Sequence, residues 1–410
     1  MFKGLSLDQA PPFEAPLLFF LTAPVWFIVA AAMLLFDSNI LDNLSILHLV
    51  TLGFMTQIMI GALQQMLPVV VGVRYEKPLL LSIAFFIPFV LGIVLFFTAF
   101  TFSKLFLLYF ASFFIGTAVI FFILFTLYKL FTAPTVTATV WAMRLSLVSF
   151  LIAACIGIFM MWQLAMGKIE PYFNHLLLEH ALFAGFGWVG LLIIGVSFQV
   201  IPMFYVTPEL SNPIRMGLTF SIFALILSTA ASITLTKLAL IFFVTLLFAY
   251  ILFGAITLKQ LKSRKRKIIE PSIVAWYIAL SSLFLLPLLF FVNTKIFSTL
   301  FLFGFAVTVM YGMLYKIIPF LAWFHISARG FFDMPTMKEM LDERLAYWQL
   351  GFHVFGIAAL MFSPQIAGIF WIASNLLFAY ILKKPVMIYF SYKKKPSPFE
   401  NLNGGGIPKG

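Results

Sequence analysis

Apolar residues follow one another along the chain in twelve long runs, which short polar or charged segments separate. A helix that crosses a membrane needs roughly 20 mostly apolar residues, and each run reaches about that length. The pattern predicts an all-α, polytopic membrane helical bundle. Its helices, numbered here as spans 1 to 12, are expected at about residues 16–36, 44–71, 79–101, 104–131, 136–166, 174–203, 212–234, 237–260, 271–292, 296–325, 344–362 and 364–391.

The composition agrees with this reading and excludes a soluble globular protein. Hydrophobic residues make up 63% of the chain and charged residues only 10%, whereas about 25% of residues are charged in soluble domains. The one cysteine, Cys155, lies inside an apolar run. A single cysteine excludes a disulfide framework within the chain and a zinc site built from cysteines.

The distribution of positive charge predicts how the bundle is oriented. Loops on the side of the N-terminus hold most of the Lys and Arg residues, including the basic run 259–267, and the opposite loops hold few. Because loops rich in Lys and Arg stay in the cytoplasm, both termini are expected there, in a bacterial inner membrane. Membrane topology accounts for the net charge of +12, and we expect no nucleic-acid partner.

Three of the spans share a repeated pattern of glycine, a polar residue and proline. The proline lies seven residues after the second glycine in each copy. We therefore expect one membrane domain, 1–410, with repeat units at about 16–131, 136–260 and 271–391 and a cytoplasmic tail at 392–410. The copies are His48, Gly53, Gly61, Gln65 and Pro68 in span 2, His180, Gly185, Gly195, Gln199 and Pro202 in span 6, and Gly304, Gly312, Lys316 and Pro319 in span 10.

Two histidines occupy equivalent positions in the first two copies. His48 and His180 lie near the outer ends of their spans, where an imidazole needs a hydrogen-bond partner or a metal. They could ligate a haem iron or a copper ion together, or bond across helices without a metal. His353, in the middle of span 11 with Gln349 one turn earlier, is the third candidate. Gly53 and Gly185 could admit a flat cofactor, or serve only the packing of helices.

Methionines follow His48 along span 2. Met55, Met59 and Met66 lie within about 20° of His48 around a helix with 3.6 residues per turn. Such a stripe suits soft Cu(I), and the alternative is that these methionines fill gaps in the core. Met55 and Met59 are the less favoured candidates for metal ligands.

Two stretches resemble a known superfamily. HLVTLGFMTQIMIGALQQMLPVV and GWVGLLIIGVSFQVIPMF resemble segments of the relatives of haem–copper oxidase subunit I, which include the NnrS-type haem-copper membrane proteins. The resemblance implies an oxidase-like arrangement of twelve helices. It also implies that His48 matches an axial ligand of the low-spin haem and that His180 matches a ligand of the copper site. Span 7 lacks the histidine pair of the oxidases, which argues against a terminal oxidase and leaves no residue assigned a catalytic role.

These observations together predict a haem b-binding membrane protein that lacks a full binuclear centre. It would act in electron transfer, or in handling nitric oxide, another diatomic gas or haem, with a membrane or periplasmic redox partner. The alternative is a membrane protein for copper or haem transport or assembly. A third reading has no cofactor and uses the histidines for hydrogen bonds alone.

Overall fold

The computed structural model describes residues 10–36, 43–73 and 75–398, and these residues form helices and no strand. The predicted all-α bundle is confirmed, and each predicted span coincides with a helix. The predicted tail 392–410 is described only as far as residue 398. The helices are α1 Glu14–Met33, α2 Leu44–Val69, α3 Pro78–Thr101, α4 Leu107–Phe131, α5 Ala138–Met166, α6 Phe173–Tyr205, α7 Asn212–Ala231, α8 Thr236–Lys262, α9 Pro271–Val292, α10 Thr294–Ser327, α11 Glu343–Ala359 and α12 Pro364–Lys393.

Eleven of these helices are long and apolar enough to cross a bilayer, which makes the chain a multi-pass membrane protein. The remaining helix, α11, has 17 residues. At about 1.5 Å per residue it is only slightly shorter than the hydrocarbon layer is thick. It packs closely along α12.

Three helices form the centre of the bundle. The apolar cores of α2, α6 and α10 are 72%, 72% and 78% buried, against 50% or less in the other eight long helices. The remaining nine helices pack side by side around them in the order α1, α3, α4, α5, α7, α8, α9, α11 and α12, and α12 contacts α1 to close the ring. The central helices are the three that carry the repeated sequence pattern.

Pairs of glycines eight residues apart allow each central helix to approach the helix that precedes it. A Cβ atom on Gly61, Gly195 or Gly312 would lie 2.8 Å from Phe20, 2.2 Å from Ala142 or 2.6 Å from Ala275. These three neighbours belong to α1, α5 and α9. Real Cβ atoms do not approach other atoms so closely, so only glycine permits these contacts.

The first glycine of each pair also lies against the outer helix that precedes its own helix. This contact identifies which glycine of α6 corresponds to Gly53, and it corrects the sequence alignment at that position. Gly53 lies against Trp26 of α1, Gly187 against Ser149 of α5, and Gly304 against Ser282 of α9. Gly187, rather than Gly185, is therefore the counterpart of Gly53 in α6. The two additional residues of α6 lie before this glycine and not between the two glycines.

Each central helix also contains a π-helical segment in its first half. The segments are Leu49–Thr56 in α2, Leu182–Gly190 in α6 and Leu300–Val307 in α10. Side chains of outer helices bond to main-chain carbonyls in two of them: the Tyr250 hydroxyl donates to Phe186 O at 2.6 Å, and His353 Nε2 lies 3.0 Å from Phe303 O. These bonds satisfy two main-chain carbonyls that water cannot reach in an apolar interior.

Charged groups close the ring at one end of the bundle, which we call the basic end because the run 259–267 lies there. Glu14 of α1 forms an ion pair with Lys393 of α12 and accepts a hydrogen bond from the Tyr389 hydroxyl at 3.0 Å. Lys316 Nζ pairs with Glu270 at 2.6 Å between α10 and the start of α9. The opposite end, where α2 and α6 begin, is called the histidine end.

We expect Gly195→Ala to destabilise the protein because its Cβ would meet the rigid Cβ of Ala142 and force α6 away from α5. Overpacking of this kind costs about 1–3 kcal/mol. Denaturant titration of the detergent-purified protein would measure the free energy of unfolding. Gly217→Ala in α7 is the matched control, because a Cβ there meets no atom within 4 Å. Equal stability of the two variants would contradict the packing role of this glycine.

Candidate functional site

The histidine end brings His48 and His180 together, as the sequence pattern predicts. His48 is the last residue before the π-helical segment of α2, and His180 lies two residues before that of α6. Their ring centroids are 6.2 Å apart and their planes are inclined by 27°. Both side chains are half-buried, so each ring keeps part of its surface accessible.

A main-chain carbonyl holds each imidazole in place. His48 Nδ1 lies 2.8 Å from Leu44 O in its own helix, and His180 Nδ1 lies 2.9 Å from Ala153 O in α5. A carbonyl oxygen only accepts hydrogen bonds, so Nδ1 must carry the proton in both rings. The Nε2 atoms of the two neutral rings then keep their lone pairs, and neither has a hydrogen-bond partner among the described residues.

The distance between the rings fits two ligands of one metal centre. A metal ion binds an imidazole nitrogen at about 2 Å, and the ring centre lies about 1 Å further along the same line. Two imidazoles on opposite sides of one ion therefore have centroids about 6 Å apart. The observed 6.2 Å agrees with this value, and a bond from Nδ1–H to a carbonyl is the usual support of a ligating histidine.

A metal ion bound by the pair would have two histidine ligands rather than a complete coordination shell from the protein. Among residues 10–36, 43–73 and 75–398, no group of three or more His, Cys, Asp or Glu side chains is arranged to hold a metal ion. A centre at the pair must therefore bring most of its own ligands, as haem does, or need only two. Cu(I) is an ion of the second kind and accepts imidazole readily.

The nearest neighbours of the pair are apolar. The ring of Phe96 in α3 lies 4.8 Å from that of His48, measured between centroids. Gly157 of α5 lies against His180, whose Cε1 would be 3.0 Å from a Cβ at that position. Neither of these contacts brings a hydrogen-bond donor to the two imidazoles.

His353 belongs to a different cluster, between α10, α11 and α12. It is fully buried, and its ring contacts Tyr311 and Trp371. Because its Nε2 donates to Phe303 O, the lone pair of the neutral ring is on Nδ1, which is buried and has no hydrogen-bond partner among the described residues. His353 thus has the opposite tautomer to His48 and His180. The structure gives it a role in supporting the π-helical segment of α10, and ligation by His353 stays a prediction.

Buried polar side chains join the same three helices. The Tyr315 hydroxyl donates to Gln349, whose Nε2 donates to Ser374 at 2.8 Å. The Tyr311 hydroxyl donates to Asn375 at 2.9 Å. Each of these side chains is at most 1% exposed. Hydrogen bonds between helices stabilise membrane bundles, so this network accounts for Gln349 without a cofactor.

The structure also locates the predicted glycines and methionines. Gly53 packs against Trp26, and a Cβ on Gly185 would meet only Phe301, at 3.3 Å. Met55 and Met59 are buried, but the π-helical segment separates them from the face of His48. A π-helix has about 4.4 residues per turn, so Met55 is rotated by roughly 100° or more away from His48. The assumption of a regular α-helix therefore does not hold along this segment. Metal ligation by Met55 or Met59, and contacts between Gly53 or Gly185 and a cofactor, stay predictions.

No model of a protein family matches the chain, and no curated protein sequence is significantly similar to it.

Proposed function

We propose that the chain is a haem b-binding membrane protein in which His48 and His180 would hold the iron. The observation that supports this most strongly is the pair of Nε2 lone pairs, left free by the Nδ1–carbonyl bonds on rings 6.2 Å apart. Both rings are half-buried at the histidine end, beside the apolar residues Phe96 and Gly157.

Two histidine ligands favour electron transfer among the functions of haem proteins. Haem would supply one-electron chemistry at this site, and a site with two histidine ligands is less suited to binding a diatomic gas. His48 and His180 would hold the iron, and the carbonyls of Leu44 and Ala153 increase the basicity of the two imidazoles through Nδ1–H. A more basic ligand stabilises ferric over ferrous iron, which favours a low reduction potential.

The proposed site lies on the outer side of a bacterial inner membrane. The basic run 259–267, Arg329 and the Lys residues that follow α12 share the end of the bundle opposite the histidine pair, and positive loops remain cytoplasmic. The redox partner would then be a membrane or periplasmic protein.

A membrane-impermeant thiol reagent should label a Lys265→Cys variant, made in a Cys155→Ser background, only in inside-out vesicles. Labelling in intact spheroplasts would reverse the orientation.

Copper or haem transport or assembly is the second candidate. Two imidazoles without a third protein ligand are a complete site for Cu(I), and half-buried rings can receive an ion from the outer side and release it again. The same residues serve both proposals, so the bound centre distinguishes them.

The test is an absorption spectrum of the detergent-purified protein, produced with haem in excess, before and after reduction with dithionite. We expect a sharp α-band of b-type haem upon reduction. His48→Ala and His180→Ala should each abolish it because the iron loses an axial ligand. His175→Ala is the matched control, because His175 lies on the same helix as His180 and is exposed.

Other results would separate the alternatives. A flat spectrum together with bound copper that is lost in His48→Ala and His180→Ala would replace haem by copper. A flat spectrum and no copper, with the two variants changing only the melting temperature, would contradict both proposals.

A further inference from the structure

The hydrogen bond that holds His180 comes from a neighbouring helix and depends on a glycine. His180 Nδ1 lies 2.9 Å from Ala153 O, which belongs to α5. In an α-helix the carbonyl of residue i points at residue i+4, whose N–H it accepts and whose side chain lies beside it. The residue four positions after Ala153 is Gly157, the only glycine within Ala138–Met166.

The absence of a side chain at Gly157 is what allows the imidazole to reach this carbonyl. A Cβ on Gly157 would lie 3.0 Å from Cε1 and 3.3 Å from Nδ1 of His180. Carbon atoms in contact are usually about 3.5–4.0 Å apart. The ring would have to move by a few tenths of an ångström, away from Ala153 O.

His48 has no such dependence. Its Nδ1 bonds to Leu44 O, four residues earlier in the same helix, at 2.8 Å. Both partners of that bond belong to α2, so it requires no neighbouring helix. The two histidines are therefore supported differently: α2 alone orients His48, whereas α5 orients His180.

We propose that Gly157 is a positioning residue of the histidine pair, which exposes Ala153 O so that His180 is held with its proton on Nδ1 and its lone pair on Nε2. The part of this inference that concerns metal binding rests on the proposed function. The part that concerns the tautomer and orientation of His180 does not, because it follows from the contacts of the metal-free protein.

The first experiment measures the tautomer directly. In protein labelled with ¹⁵N at histidine and purified without metal or haem, the nitrogen shifts of His180, assigned by their absence in His180→Gln, report which ring nitrogen carries the proton. We expect the Nδ1–H form in the unaltered protein and a mixture of tautomers in Gly157→Ala. An Nε2–H form in the unaltered protein would overturn the inference, whether or not the variant folds.

The second experiment titrates the same proteins with haemin. Loss of a group that supports a ligand typically weakens metal binding by 10- to 100-fold, and we expect a loss of that size in Gly157→Ala. Gly116→Ala on α4 is the matched control, since its Cβ would meet only the flexible side chain of Ile158. It should change neither the tautomer nor the affinity.

The outcomes keep the two proposals apart. If the unaltered protein binds no haemin while Gly157→Ala still shifts the tautomer, the haem proposal fails and the positioning role stands. If Gly157→Ala has the tautomer and the haemin affinity of the unaltered protein, the positioning role is wrong, whatever the metal centre is.

Discussion

The close approach of α2, α6 and α10 to the helices before them is the constraint on which the rest of the structure depends. In a bilayer the hydrophobic effect does not drive helices together, so packing between small residues has to do so. The glycine pairs bring the backbones of neighbouring helices close together: Gly187 lies against Ser149, and Gly195 lies against Ala142. A side chain at either glycine would push the two helices apart. Three such glycine contacts hold α2, α6 and α10 in the centre of a ring of nine outer helices.

The central position of these helices has chemical consequences. The apolar ring separates a polar group buried on a central helix from water, so leaving such a group without a partner costs free energy. The π-helical segments add carbonyls that need partners, and Tyr250 and His353 supply them from outer helices. His48 and His180 lie just before two of these segments, and the bonds from their Nδ1 atoms leave two nitrogen lone pairs at the same end of the bundle.

The fold could be predicted from sequence almost completely, because the length of an apolar run determines whether a helix crosses the membrane. The pairing of His48 with His180 followed from their equivalent places in a repeat. The partners of these histidines could not be predicted, because a main-chain carbonyl such as Ala153 O has no signature in the sequence. A glycine at position 157 becomes informative only when the neighbouring helix is known.

The errors in detail share one cause. The stripe of Met55 and Met59 assumed 3.6 residues per turn, and the alignment of Gly185 with Gly53 assumed a regular helix before the glycine. A shift of hydrogen bonds by one residue is not marked by any residue type, so the π-helical segments were invisible in the sequence. His353 was recognised as a buried polar group, but its bond to Phe303 O depends on that same local geometry.

The central claim is the proposal that His48 and His180 would together hold one haem iron. Electron paramagnetic resonance of the oxidised, haem-loaded protein tests it most directly, because the signal of low-spin ferric haem depends on the angle between its axial imidazole planes. Planes inclined by 27° are nearly parallel, and the account predicts a rhombic low-spin signal that is lost in His48→Ala and in His180→Ala. A high-spin signal, or a strongly axial low-spin signal typical of perpendicular planes, would contradict the account.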